Sequence, residues 1–122
     1  MVRIGRLLYE YRLLVGTEGN LSCRLSDTLL LATPSGVCKG MLSPDQLVVV
    51  DLAGKRTGPA TPASRDLAPT SEMPMHLEIY ARRPDVRAVS HAHPPTAIAL
   101  SVAGVSLLDC TMPEVILGLG LV

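Results

Sequence analysis

From Ile4 to Val15 the apolar residues fall at Ile4, Leu7, Leu8, Tyr11 and Val15. That is helical spacing, with Arg6, Glu10 and Arg12 largely off the stripe, and it predicts a helix over 4–15. The run Gly16-Thr17-Glu18-Gly19-Asn20 breaks the pattern. Leu21 to Leu25 alternates as a strand does, Ser26-Asp27 signals a turn, and Thr28 to Ala32 reads as a second strand, so a hairpin is expected. Thr33-Pro34-Ser35-Gly36 closes it in a tight loop. Ser43-Pro44-Asp45 has the form of a short helix start, with Pro at the first helical position. Leu47 to Leu52 is a β-branched strand, and Ala53-Gly54-Lys55 turns the chain.

Residues 56–69 are polar and rich in Pro, Thr and Ala, which describes a surface loop. Thr70 or Ser71 then caps a helix that runs to about Arg82, with Met73, His76, Leu77 and Tyr80 as its buried stripe. Arg82, Arg83 and Pro84 end it, the basic pair suiting the negative end of the helix dipole. Ala88 to His93 reads as a strand, Pro94-Pro95 starts a helix through about Ala103, Gly104 stops it, and Val105 to Leu108 reads as a further strand. Hairpins interleaved with helices suggest an α/β or α+β layered domain.

Composition narrows the class. At 122 residues the chain is expected to be one domain, spanning 1–122. Apolar residues make up 48%, and with three Tyr and no Trp or Phe the core must be aliphatic. Eleven basic and eleven acidic residues, without a run of one sign, give no electrostatic footprint for nucleic acid or an anionic membrane. No apolar stretch approaches the roughly 20 residues that span a bilayer. Cys23, Cys38 and Cys110 are odd in number and have no CxxC spacing, so a reduced cytoplasm fits better than a disulfide framework. The start lacks the apolar core of a signal peptide. The last residues, Leu117-Gly118-Leu119-Gly120-Leu121-Val122, carry no polar tail, and the sequence is expected to be an N-terminal fragment of a longer domain.

The candidate chemistry starts at His91 and His93. On a strand, positions i and i+2 face the same way, so both imidazoles would share a face and could share a metal ion. Glu72 could add a carboxylate, and such a set resembles a zinc site that does chemistry rather than one that staples a fold. Each part also has a plainer reading. The histidines could be polar residues at a strand end, and Glu72 could serve the helix dipole. A cupin-like site would want a glutamate soon after the second histidine, where Pro94-Pro95-Thr96-Ala97 stands instead. His76 falls on the apolar stripe and reads as a packed, hydrogen-bonded core histidine. Thr70-Ser71 at a helix start is a natural anion site, and Gly19-Asn20 and Ser35-Gly36 are loops where backbone can approach a phosphate closely.

Together the motifs say more. The chain carries Gly-Thr-Glu-Gly-Asn-Leu-Ser (16–22), Thr-Pro-Ser-Gly (33–36), Leu-Ser-Pro-Asp-Gln-Leu-Val-Val-Val-Asp (42–51), Pro-Thr-Ser-Glu (69–72), His76, Arg-Pro-Asp-Val (83–86) and His-Ala-His (91–93). In that order and spacing the chain resembles the class II aldolase/adducin family, typified by fuculose-1-phosphate aldolase, from about Gly16 to Gly104. The resemblance implies a three-layer α/β/α sandwich with a central, largely antiparallel sheet, assembled as a homotetramer with sites at subunit interfaces. It implies His91 and His93 as ligands of Zn(2+) and Glu72 as the catalytic acid/base. Asn20, Ser35, Gly36, Thr70 and Ser71, with Thr17 as an addition, would bind the substrate's phosphate.

The implied reaction is retro-aldol cleavage of a ketose phosphate through an enediolate, giving dihydroxyacetone phosphate and an aldehyde. Epimerase, dehydratase and decarboxylase branches are the alternatives, as is a non-catalytic, adducin-like scaffold. Glu at position 72 leans toward aldolase, because the ribulose-phosphate epimerase branch carries Asp there. The family's third zinc histidine lies well beyond the pair, and its catalytic tyrosine has no match, since no Tyr follows Tyr80.

Overall fold

The computed structural model describes residues 1–105. Its elements are helix α1 (Val2–Glu10), strands β1 (Asn20–Arg24), β2 (Leu29–Ala32) and β3 (Val48–Asp51), helix α2 (Met73–Arg82), strand β4 (Ala88–His91) and helix α3 (Pro95–Val102). Single 3-10 turns occupy Lys39–Met41 and Pro44–Gln46. The strands form one antiparallel sheet in the order β3-β2-β1-β4. The expected hairpin is β1–β2, with Ser22 opposite Ala32. The strand expected at 105–108 lies beyond residue 105 for all but its first residue, and so outside the described residues.

Alternation along the strands sets the core. Leu30 and Ala32 of β2 and Val48 and Val50 of β3 are buried at i, i+2 positions, and α2 lays Met73 and Tyr80 over them. Fully burying a side chain such as Leu30 contributes about 1.5–3 kcal/mol. The core is aliphatic apart from Tyr80, as the composition requires. On β1 the same face changes character: its buried positions are Asn20 and Ser22, both polar. The apolar sheet therefore ends in a polar seam, and that seam leads to the site.

Two helix ends differ from the sequence pattern. α1 ends at Glu10 rather than Val15. Arg12 takes φ +57, and the N–H groups of Arg12 and Leu13 donate to the carbonyls of Tyr9 and Leu8. These two bonds are a Schellman ending, with arginine where glycine usually sits. The chain then leaves the helix axis and buries Leu14. α2 begins at Met73, with Glu72 as its N-cap residue and no side-chain cap bond. Thr70 instead stabilises the turn before the helix, accepting from the Glu72 N–H at its Oγ1 (3.3 Å) and from the Met73 N–H at its carbonyl (3.1 Å).

The long loop before α2 is pinned rather than free. Arg56 donates to the carbonyls of Arg65 (3.0 Å) and Leu67 (2.8 Å) and to Ser64 Oγ (3.3 Å). Elsewhere α1 packs against the Lys39–Met41 turn so closely that a Cβ on Gly5 would overlap the Lys39 carbonyl. This contact fixes the Lys39 backbone.

Candidate metal and anion site

Strand pairing brings the first residues of the site together. Asn20 of β1 lies directly opposite His91 of β4. Glu72, at the start of α2, places its Oε2 2.5 Å from His91 Nδ1. β4 ends at His91, so His93 is not on the strand as the pattern suggested. Its backbone N–H donates instead to the Leu13 carbonyl (3.0 Å), just past the end of α1. The two imidazoles still meet, with ring centroids 4.6 Å apart and planes at 61°. His93 Nδ1 is also 3.6 Å from Glu18 Oε2.

One ligand atom from each of Glu72, His91 and His93 lies within 4.8 Å of the others. Their side chains are 39%, 29% and 31% exposed, so the cluster is neither sealed nor fully solvated. Two imidazole nitrogens and a carboxylate oxygen are donors that zinc and similar divalent ions accept. The donor set fits such an ion. Beside it, His91, His93, Ala97, Ile98 and Ser101 line an open depression of about 370 Å³, large enough for a small substrate.

The loops expected to hold an anion converge through Thr33. The Leu21 N–H donates to Thr33 Oγ1 (3.0 Å), and the Thr33 N–H donates to the Leu21 carbonyl (2.9 Å). On its other side the Thr33 carbonyl accepts from the Thr70 N–H (3.1 Å). The Ser35 N–H donates to the Ala68 carbonyl (2.9 Å), and Pro34 bridges to Pro69. Thus the segments holding Asn20, Ser35–Gly36 and Thr70–Ser71 are bound edge to edge. Ser35, Gly36 and Ser71 are exposed at the loop tips, and Gly36 takes φ +70. Asn20 and Thr70 are buried. Thr17 is exposed, and its carbonyl is held from below.

The group that holds it is Lys39, a residue that no pattern in the chain singles out. Lys39 is buried and donates from Nζ to the Thr17 carbonyl at 2.6 Å. Burial pushes its pKa down, while the nearby Cys38 and Glu72 oppose that shift. A buried ammonium therefore lies beneath the 16–20 loop and within the field of Glu72. His76 is where the stripe predicted, fully buried and hydrogen-bonded to Ser22 and Asn20. Its pKa is lowered, first by burial and then by His91, with Glu72 acting in the opposite sense.

Against known families, the model for the Class II Aldolase and Adducin N-terminal domain matches residues 1–120. The chain belongs to the class II aldolase and adducin family. Over 101 residues it is 41% identical to the L-fuculose phosphate aldolase of Methanococcus vannielii, covering 83% of this chain and 51% of that protein. It is 39% identical to the 3-oxo-tetronate 4-phosphate decarboxylase of Haemophilus influenzae, covering 83% and 45%. It is 38% identical to the methylthioribulose-1-phosphate dehydratase of Pseudomonas savastanoi pv. phaseolicola, covering 83% and 47%. The chain spans about half the length of these relatives. Among solved structures, YgbL from Klebsiella pneumoniae superposes with a TM-score of 0.71 at 37% identity, covering 83% of this chain and 45% of that one. No helix among the described residues is long and apolar enough to cross a membrane.

Proposed function

We propose that this class II aldolase family chain carries the metal and phosphate half of an enzyme that cleaves a ketose phosphate by a retro-aldol reaction. The observation that carries the reading is the approach of Glu72 Oε2 to His91 Nδ1 at 2.5 Å, with the His93 ring alongside. His91 and His93 would hold Zn(2+). Zinc so held would supply a Lewis acid for the charge that develops on the substrate's carbonyl and hydroxyl oxygens. We read the whole domain as the family's three-layer α/β/α sandwich, acting in the cytoplasm as a homotetramer. The apolar Ile98, Leu100 and Val102 exposed on α3 beside the site support a subunit contact there.

The chain's own residues divide the remaining work. Asn20, Ser35, Gly36, Thr70 and Ser71, with Thr17, bind the phosphate and so fix the distance from anchor to reacting carbon. Cleavage breaks the bond between the carbon next to the ketone and the carbinol carbon beyond it. The carbinol hydroxyl gives up its proton to solvent water, and that fragment leaves as an aldehyde. The electron pair stays with the ketone fragment, and protonated Glu72 gives its proton to the carbon that held the bond. In the condensation direction the Glu72 carboxylate takes that proton back as general base.

The test is zinc content together with product analysis on a panel of ketose phosphates. Near-stoichiometric zinc with release of dihydroxyacetone phosphate and an aldehyde supports the reading. The similar identity to a decarboxylase and a dehydratase favours those two reactions as the second reading. Release of carbon dioxide, or loss of water with the carbon skeleton intact, would decide for them. A scaffold without catalysis predicts lost metal ligands, and the retained His91–His93 pair speaks against it.

A further inference from the structure

Beneath the site the buried polar side chains of Tyr80, Ser22 and His76 form a line that ends on Asn20. Tyr80 Oη lies 2.8 Å from Ser22 Oγ. Ser22 Oγ lies 2.6 Å from His76 Nδ1, and His76 Nε2 lies 2.5 Å from Asn20 Oδ1. Asn20 Nδ2 is then 3.4 Å from His91 Nδ1. Ser22 is 2% exposed and His76 not at all. Buried polar groups cost stability unless they are fully paired, and apolar residues fill the equivalent places on β2 and β3. The seam needs a reason beyond packing.

Its direction supplies one. A neutral imidazole has one donor and one acceptor. At the near end, Asn20 Oδ1 lies 2.5 Å from His76 Nε2 and can only accept, so Nε2 carries the ring hydrogen and Nδ1 is the acceptor. Ser22 gives its single hydrogen to His76 Nδ1, and the Tyr80 hydroxyl is left to donate to Ser22 Oγ. Asn20 must then turn its NH2 group toward His91 and the open site. The reverse direction would aim the Asn20 carbonyl there, which repels an anion.

We infer that His76 is a positioning residue: in its Nε2–H form it grips the Asn20 side chain by the carbonyl and presents the Asn20 NH2 as a donor to the substrate's phosphate. The consequence for binding rests on the reading of Asn20 as a phosphate ligand; the orientation itself does not.

Two measurements on the full chain test this. Nitrogen-15 NMR of the histidine rings reads the tautomer, and His76 is expected as Nε2–H with a bare Nδ1; an Nδ1–H form overturns the proposal. Binding of inorganic phosphate is then compared by calorimetry for His76→Gln, His76→Leu, Asn20→Ala and the Asn20→Ala/His76→Leu double variant. Gln can place an amide N–H where Nε2–H stood, so its affinity should stay near the parent's. His76→Leu should lose about tenfold or more, the scale of a hydrogen bond to a charged group. In the Asn20→Ala background it should cost nothing further, whereas an additive loss would show a merely structural role and overturn the proposal. If Asn20→Ala alone leaves phosphate binding unchanged, the phosphate reading fails and the tautomer alone decides the orientation. Should His76→Leu not fold, Ser22→Ala removes the donor to Nδ1; mixed tautomers with weakened phosphate binding support the relay, and an unchanged tautomer and affinity overturn it.

Discussion

Gly19 lies against the backbone of His91: a Cβ built on it would stand 2.8 Å from the His91 carbonyl oxygen. Gly19 also has φ +67, a conformation that residues with a Cβ adopt at a cost. The glycine thus allows the loop before β1 to close onto the strand that carries His91. Gly19→Ala should lower stability by about 1–3 kcal/mol through backbone strain and the shift it forces. The Leu14 side chain, closer still to that Cβ, must give way first, but part of the shift falls on the His91 backbone, so zinc affinity should drop as well. Urea denaturation and zinc titration of the variant check both parts, and unchanged zinc binding would separate the loop from the metal residues.

Lys39 and the Thr17 carbonyl make a second prediction. A hydrogen bond to a charged donor contributes about 1.5–3 kcal/mol, and much of it is offset here by burying the ammonium. Lys39→Met should therefore change global stability little. The 16–20 loop, however, loses its tether and the site loses a nearby positive charge. Hydrogen exchange across residues 16–20 should speed up, and KM for a phosphorylated substrate should rise more than kcat falls. An equal fall in kcat with KM unchanged would count against a binding role.

Much of this was legible in the chain, and the exceptions have physical causes. The alternation in β1 and the continuous apolar runs of β2 and β3 announced the sheet, and Met73, His76 and Tyr80 fell on the buried face of α2 as their spacing implied. The end of α1 was hidden because Arg12 occupies a left-handed position that glycine usually marks. His91 and His93 meet for a reason other than strand alternation: the strand stops at His91, and a backbone bond to Leu13 holds His93. Thr70 and Ser71 looked like helix caps, yet the cap falls at Glu72, whose carboxylate turns to His91 rather than to its own helix. Lys39 gave no signal, because a lysine before glycine in a loop is ordinarily solvated. Only the packing of α1 over its backbone shows it to be buried.

His76 predicts a pH dependence of stability. Its folded pKa is lowered, so below the unfolded value of about 6.5 the unfolded chain takes up a proton that the folded chain refuses. Stability should be full above about pH 6.5 and fall as the pH drops, by at most about 1.4 kcal/mol per pH unit from this group. His91 and Glu72 face the same region, so the parent curve alone does not isolate His76. His76→Gln does: the difference in unfolding free energy between parent and variant should grow less favourable to the parent as the pH falls from 7.5 toward about 5. A pH-independent difference would mean that His76 takes up its proton as readily in the fold as in the unfolded chain.

Metal removal should act unequally on the two histidines. A ligand present at 100 times its Kd stabilises the fold by about 2.7 kcal/mol, so a chelator should lower the unfolding midpoint of the parent. His93 lies in the connection after β4, and its backbone bond to Leu13 does not depend on the imidazole. His93→Ala should abolish tight zinc binding while its stability in chelator matches that of the parent. His91 is on β4, and its ring meets both Glu72 and Asn20. His91→Ala should lose zinc and also leave the Glu72 carboxylate without its partner, so it should be less stable than the parent even in chelator. Differential scanning calorimetry of the three proteins with and without chelator measures all six states. Equal stability of the two alanine variants in chelator would show that the contact of His91 with Glu72 contributes nothing until the metal is bound.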